Sequence, residues 1–208
     1  MKKRVNSFWL GLSVLLSLTI LVLCVYAGRG GALVLEPQGD PQTVVSSFFD
    51  ALIAGRYSDA YACLNDYSGL GLENQPTDTA GRTLYRALRE SYAYTLLGDC
   101  AVDKLSASQA VSFQSLNVKA VQAAVAERIE AVTQRLVEEM PSSEIYDEDM
   151  QYLPSFTDTV YETALNEVLE DAEAYYTDVT LMVALSYQGE RWSMATSPAL
   201  IGALLGGA

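Results

Sequence analysis

The residue types available for chemistry are limited by the absence of histidine from all 208 positions. Without an imidazole, the chain cannot use a Ser-His-Asp or Cys-His nucleophile, a histidine general base or a histidine-containing zinc site. A Ser-x-x-Lys acylation motif is missing at Lys119, because Leu116 stands where the serine would be. Carboxylates, tyrosines, arginines and thiols remain as candidate functional groups, and we predict no catalytic residue and no cofactor.

Cys63 and Cys100 are the two thiols beyond the N-terminal apolar segment. In an exported domain two such thiols could pair as a disulfide, and the alternative is two unpaired small residues in the core. No Cys-x-x-Cys sequence occurs, which argues against a redox motif or a four-cysteine zinc site. The sequence leaves both states of Cys63 and Cys100 open.

The segment Glu138–Asp149 carries six carboxylates and no cation. Carboxylate oxygens are calcium ligands, so a calcium site is one interpretation. The segment lacks the alternating Asp/Asn spacing, the central glycine and the final glutamate of a calcium-binding loop. It therefore predicts a solvated connector between helices, and we expect no metal site.

Thirteen tyrosines are many for a chain of this length. Two groups stand out: Tyr85, Tyr92 and Tyr94, and Tyr175, Tyr176 and Tyr187. On a sheet that curves into a cone, some of these rings could line its mouth and bind an apolar or carbohydrate ligand. The alternative is that they pack in the core and at its edge.

The chain has 13 basic and 26 acidic residues, a net charge of −13. Without Lys2, Lys3 and Arg4, 10 basic residues face the same 26 acidic ones, so the rest of the chain carries −16. Phosphates need cations for binding, so this balance excludes nucleic acid as a partner. It also argues against binding to an anionic lipid surface through the domain itself.

An uncharged apolar run of 20 residues extends from Phe8 to Ala27, directly after the cations at positions 2–4. As a helix it would be about 30 Å long, the thickness of a hydrocarbon core. Trp9 and Tyr26 lie near its ends, where aromatic rings favour the headgroup region. Residues 1–28 therefore predict a single-pass anchor in the cell membrane, with the N-terminus cytoplasmic and the C-terminal domain extracytoplasmic.

Two other interpretations of this segment remain open. Val25-Tyr26-Ala27 has small residues where a signal peptidase needs them, so cleavage before Gly28 would give a secreted protein. A lipoprotein signal would use Cys24, although Leu23 precedes it where a small residue is required. The anchor is favoured because signal-peptide cores are usually about 7–15 residues long. We divide the rest into a tether, residues 29–39, and a domain, residues 40–208.

The domain predicts an α+β fold. Asp40 and Pro41 begin a helix that Gly55 ends, a second helix starts near Ser58, and Asp78 or Thr79 caps a third. Alternating apolar residues then predict four strands. These strands start at Tyr92 with a bulge at Gly98, and continue as Gln109–Leu116, Thr177–Gln188 and Arg191–Ala195.

Two helices are expected within residues 118–172, between the second and third strands. In the first helix an apolar stripe recurs at intervals of four and three residues, and Pro141 stops it. The second runs from about Ser155, and pairing of the two would bury both apolar faces. The apolar tail after Ala195 predicts a short helix that closes the core.

Two segments suggest a family. Val44–Leu64, VVSSFFDALIAGRYSDAYACL, resembles the opening helix pair of the cone-shaped nuclear-transport-factor-2-like superfamily, which includes the SnoaL-like domains. Gly189–Ser193, GERWS, is similar to its closing hairpin. The resemblance implies helices packed on a curved antiparallel sheet, in a bacterial protein of the anchored or lipid-modified kind. Residues 118–172 depart from the family plan as a two-helix insertion.

The superfamily includes cavity enzymes, namely dehydratases, isomerases and cyclases, and also many non-catalytic binding modules. The missing histidine prevents the transfer of a dehydratase dyad to this chain. We therefore expect a membrane-anchored extracytoplasmic binding or interaction module of unknown ligand. One alternative is an isomerase-like enzyme that uses a carboxyl and a tyrosine, and another is a scaffold that uses the helical insertion as its interface.

Overall fold

The computed structural model describes residues 37–67 and 70–207 and shows an α+β fold with a four-stranded antiparallel sheet, in the order β1-β2-β3-β4. The strands are β1 Ala93–Asp103, β2 Ser106–Leu116, β3 Tyr176–Gln188 and β4 Arg191–Met194. This confirms the predicted α+β fold class and the four predicted strands. The expected anchor, residues 1–28, lies outside the described residues, as does most of the tether. No helix within the described ranges has the length and apolar character needed to span a bilayer.

Helices occupy three parts of the chain. Before the sheet come α1 Pro41–Ile53, α2 Tyr57–Ala62 and α3 Thr79–Glu90. Between β2 and β3 lie α4 Val118–Glu139, the single-turn α5 Ser142–Ile145, α6 Pro154–Leu169 and a 3₁₀ turn, Ala172–Tyr175. After β4 comes α7 Pro198–Leu204. Two long helices between the second and third strands were predicted, whereas the short α5 was not.

Four helices begin at a side chain that accepts a hydrogen bond from a free N–H group of the first turn. Asp40 accepts from the N–H of Gln42, and Asp78 accepts from the N–H of Gly81. Asn117 and Ser197 do the same for α4 and α7. Each such cap is worth about 1 kcal/mol because it satisfies an otherwise unpaired donor. The predicted caps at Asp40 and Asp78 are confirmed.

Glycines allow the chain to turn at two predicted positions. Gly55, two residues after the last residue of α1, has a φ of +71°, which a side chain would disfavour. Gly98 has a φ of +68° and lies where the β1–β2 register shifts between Leu97 and Ala101. An extra residue in one strand bends it and increases its twist. The bulge predicted at Gly98 is therefore confirmed.

The core lies between the inner face of the sheet and α1. Phe48, Phe49 and Leu52 of α1 are completely buried. The ring of Phe49 lies 5.0 Å from that of Tyr94 on β1 and 5.4 Å from that of Phe113 on β2. Burial of one such ring contributes about 2–3 kcal/mol, so α1 is fixed firmly across the strands. This position determines where the end of α1 meets α2 and α3.

The segment between β2 and β3 packs on its own domain. Val121, Val125 and Val132 of the predicted stripe on α4 are buried, and α4 packs against α6. Arg128 of α4 forms an ion pair with Glu167 of α6. α6 also contacts α3. The apolar stripe of α4 therefore packs within its own domain, and α6 in turn contacts α3.

The C-terminal helix closes the core, as the apolar tail predicted. Leu200 and Leu204 of α7 are buried. The hydroxyl of Tyr92 donates a hydrogen bond to the carbonyl of Leu204, and the N–H of Val118 donates to the carbonyl of Gly206 at 3.0 Å. The tail thus connects the start of β1 with the start of α4.

Candidate functional site

A cleft of about 430 Å³ opens where the end of α1, the start of α2 and one face of α3 meet. Its walls carry three arginines and three tyrosines: Arg82, Arg86, Arg89, Tyr57, Tyr85 and Tyr92. Ile53, Gln75 and Glu90 complete the lining. We call this site the arginine–tyrosine cleft. Its volume is in the range of small-molecule sites.

One helix supplies all three arginines of the cleft. Arg82, Arg86 and Arg89 are spaced by four and three residues, which places them on one face of α3. From the first to the last, the helix rises about 10 Å. The 10 basic residues beyond position 4 include these three, so this face concentrates positive charge in an acidic protein.

Arg89 is the least exposed of the three arginines, and its guanidinium lies near two aromatic rings. Its guanidinium carbon is 4.6 Å from the ring centre of Tyr57 and 5.2 Å from that of Tyr92. One Nη donates a hydrogen bond to the carbonyl of Leu52 at the end of α1. Two cation–π contacts of this kind contribute about 1–2 kcal/mol together. The contacts hold the guanidinium in place and leave part of its donor capacity unused.

The unused donors of Arg89 are shielded from solvent. Nε and Nη1 are buried and have no hydrogen-bond partner within the described ranges. Burial lowers the pKa of the Arg89 guanidinium, because a desolvated cation is disfavoured, although Tyr92 opposes this shift. Buried polar groups are nearly always paired in native proteins. Arg89 is thus an exception among buried polar groups, and an anion is the kind of acceptor that a cationic donor binds most strongly.

The other two arginines are also without a carboxylate partner. Arg82 donates to the backbone carbonyl of Thr77 at 2.8 Å, and Arg86 has no ion pair in the part of the chain that the structure describes. The ion pairs found there join Arg56 to Asp59 and two α4 arginines to Glu167. Acidic residues outnumber basic ones two to one, so carboxylates are plentiful. Among the described residues, the arginines of the cleft nevertheless have no carboxylate partner.

Tyrosine hydroxyls hold one wall of the cleft together. The hydroxyl of Tyr85 donates to the carbonyl of Leu72, and the hydroxyls of Tyr57 and Tyr85 are 2.9 Å apart. Each phenol has a single proton, so Tyr57 must be the donor to Tyr85. Tyr92 donates to α7, as described above. The fold thus uses the hydroxyl protons of all three tyrosines.

A loop segment, residues 70–77, faces α3 across the cleft and is fixed by Tyr61. The hydroxyl of Tyr61 accepts from the N–H of Leu72 at 2.8 Å and donates to the carboxylate of Glu73. Burial, followed by the bond to Glu73, raises the pKa of Tyr61 to about 12. The same bond lowers the pKa of Glu73. Since Gln75 of this loop lines the cleft, Tyr61 positions part of the site without entering it.

The tyrosine groups noted in the sequence have different roles. Tyr85 and Tyr92 line the cleft, whereas Tyr94 stacks on Phe49 and donates to Asp50 at 2.8 Å. Of the second group, Tyr187 packs edge-on against Trp192 at 5.4 Å. Tyr175 and Tyr176 are partly buried against the core. Core packing therefore accounts for Tyr94 and for the second group, whereas a ligand at Tyr85 and Tyr92 stays a prediction.

Sequence reasoning missed the arginines of the cleft. The signal was present, since TAGRTLYRALRE places arginines four and three residues apart in a chain that is poor in cations. That pattern shows a cationic face. It does not show that Tyr57, 32 residues before Arg89 in the chain, packs against the guanidinium of that arginine.

The cysteines and the acidic segment lie outside this cleft. Cys63 and Cys100 are free thiols, and each donates to a backbone carbonyl at 3.5 Å, Cys63 to Asp59 and Cys100 to Ser108. Burial raises the pKa of both thiols. In the acidic segment, Asp147 accepts from the N–H groups of Asp149 and Gln151. Across residues 37–67 and 70–207, no group of three or more acidic or thiol side chains is placed to hold a metal ion.

Comparison with known proteins identifies no family for this chain, because no family model, curated protein or solved structure matches it. The resemblance to the nuclear-transport-factor-2-like superfamily thus stays a prediction. Function has to be argued from the cleft itself.

Proposed function

We propose that this protein is a membrane-anchored extracytoplasmic binding module that takes a small anionic ligand in the arginine–tyrosine cleft. The observation that carries the proposal is the state of Arg89, which is partly buried and whose Nε and Nη1 are shielded from water and unpaired. An unsatisfied buried donor costs about 1–3 kcal/mol, and more when the group is charged. An anion that reaches these donors would remove that cost, and because they are shielded in the free protein, its entry requires the neighbouring tyrosine rings to shift.

The location in this proposal depends on the N-terminal segment. Three cations followed by 20 apolar residues predict retention in the cell membrane with the domain outside, and cleavage before Gly28 would instead release it. Either route puts the cleft in the same compartment. The resemblance to the nuclear-transport-factor-2-like superfamily supports a binding domain of bacterial origin, as a proposal.

The two alternative functions have weaker support from the described residues. An isomerase-like site needs a shielded carboxyl beside a free tyrosine hydroxyl. Glu90 at the cleft is exposed, and the hydroxyls of Tyr85 and Tyr92 donate to backbone carbonyls. A scaffold role needs an apolar helix face that is free to bind a partner, whereas the stripe on α4 is buried in its own domain.

The first prediction tests the cleft with simple anions. Isothermal titration of the full chain in detergent with benzoate and with inorganic phosphate is expected to show binding, and neutral benzamide is expected not to bind. Replacement Arg89→Gln removes the buried cation and should weaken anion binding by about tenfold or more, since a charge-assisted bond is worth about 1.5–3 kcal/mol.

Arg56→Gln serves as the matched control, because Arg56 is exposed and already paired with Asp59. It should leave the dissociation constants unchanged. Circular dichroism establishes that both variants are folded. Equal binding by wild type and Arg89→Gln, or equal binding of benzamide and benzoate, would contradict the proposal.

A further inference from the structure

The arginine–tyrosine cleft has one buried cation and two cations nearer to solvent. Arg89 is partly buried, with its free donors shielded, whereas Arg82 and Arg86 are exposed. Along α3, Arg86 precedes Arg89 by about 4.5 Å and Arg82 precedes it by about 10 Å. A single monovalent anion at Arg89 would leave Arg86 without a counter-charge.

The cleft is electrostatically uneven along α3. Glu90 follows Arg89 and lines the same cleft, so a second negative group placed on that side would meet a like charge. On the other side, Arg86 has no ion pair within residues 37–67 and 70–207. A second anionic group is therefore favoured only toward Arg86 and Arg82.

The surface beside these arginines is suited to a short apolar linker. Ile53, 42% exposed, lines the cleft together with the ring of Tyr85. The hydroxyl of Tyr85 is engaged with Leu72 and Tyr57, so the ring offers mainly its apolar surface. Such a wall favours a hydrocarbon spacer over a strongly hydrated one.

We propose that the ligand is a small dianion, with one anionic group on Arg89 and the other on Arg86, and a short hydrocarbon spacer against Ile53 and Tyr85. This inference rests on the proposed function, since it concerns the same cleft. The class it names is an aliphatic α,ω-dicarboxylate. A compact diphosphate shares the two-anion chemistry but lacks the spacer.

The test compares ligands that differ only in the second charge. The full chain in detergent is titrated with succinate, glutarate, adipate and pimelate, and with the monocarboxylates of the same carbon number. At the best chain length, the dicarboxylate is expected to bind about tenfold more tightly than its monocarboxylate partner, the effect of one added charge-assisted bond.

Two variants test which arginine binds which anionic group of the ligand. Arg86→Gln is expected to abolish the tenfold advantage of the dicarboxylate and to weaken the monocarboxylate far less, because Arg86 binds the second anionic group. Arg89→Gln is expected to weaken both ligands. Arg56→Gln is the control and should change neither.

The outcomes separate this inference from the proposed function. If monocarboxylates bind as tightly as dicarboxylates, the cleft binds one anion, and the dianion inference is overturned while the proposed function stands. If no anion binds, both fail. Pyrophosphate is titrated in parallel, and tighter binding of pyrophosphate than of every dicarboxylate would overturn the role of the hydrocarbon spacer.

Discussion

Arg89 shows how two tyrosine rings change what a guanidinium can do. Arginine normally reaches water with the end of its side chain, whereas here Tyr57 and Tyr92 cover it and one Nη is bound to Leu52. The covered cation cannot be satisfied by solvent at Nε and Nη1. A ligand that supplies an acceptor is thus favoured by removal of a cost already present in the free protein.

Tyr61 and Glu73 give a residue-scale prediction about pH. The pKa of Glu73 is lowered in the fold, so the bond stabilises the protein above the ordinary glutamate pKa and is lost as pH falls below about 4.5. The pKa of Tyr61 is raised from 10.0 to about 12, so the same bond is lost as pH rises from 10 toward 12. Stability from this pair is therefore complete between about pH 5 and pH 9.

The measurement is urea unfolding of wild type and Tyr61→Phe at pH 4, 7 and 11. The variant is expected to lose stability at pH 7 and to show a smaller difference between pH 7 and either extreme. Tyr67→Phe is the control, because Tyr67 is 58% exposed and contacts Tyr61 through its ring. A pH profile of Tyr61→Phe that is parallel to wild type would refute the role of the Tyr61–Glu73 bond.

At the level of elements, α3 determines the geometry of the cleft. Its N-terminus is fixed by Asp78, and one face carries the three arginines. α6 supports it from one side, and the loop of residues 70–77 is bonded to Tyr61 and Tyr85 on the other. The long helices between β2 and β3 therefore contribute to the site indirectly, by holding α3.

Asp78 gives the prediction at this scale. Asp78→Ala removes the acceptor for the N–H of Gly81 and is expected to lower the free energy of unfolding by about 1 kcal/mol. Asp78→Asn keeps an acceptor at the same position and should stay close to wild type. Both are measured by chemical denaturation. Equal losses in the two variants would show that the negative charge, rather than the cap, is responsible.

At the scale of the whole molecule, the net charge determines which ligands and surfaces the chain repels. The chain beyond position 4 carries −16 and its cations are sparse, so we expect neither nucleic acid nor anionic lipid to bind the domain. Three of these cations line one cleft, so the anion proposed to bind there would approach a protein of like net charge. The net charge should therefore slow the approach of an anion, and moderate salt should lessen that repulsion.

The N-terminal segment gives the whole-molecule prediction. If residues 1–28 are a retained anchor, protein extracted from membranes with detergent should have an intact mass that includes the sequence from Met1 or from Lys2 after methionine removal. Alkaline carbonate should leave it in the membrane fraction. A mass that starts at Gly28, with the protein in the soluble fraction, would establish cleavage instead. Acylation of Cys24 would appear as added mass on a chain that begins there.

Local features of the fold could be predicted from the sequence because they depend on residues that are adjacent in the chain. The caps at Asp40 and Asp78, the glycine at the end of α1 and the bulge at Gly98 each need only a few adjacent residues. β3 was recognised for the same reason, because its side chains alternate between a buried and an exposed face. The single-turn α5 was missed, since four residues have no helical period to detect.

The site was harder to predict because its parts come from distant positions. The sequence by itself determined the charge, the absence of imidazole chemistry, the α+β order of elements and the spacing of the arginines on α3. Only the tertiary structure brought Tyr57, Tyr92 and the carbonyl of Leu52 around Arg89 and left its Nε and Nη1 unpaired. The physical reason is that burial of a charge depends on packing between α1, α2 and α3, which no local pattern encodes.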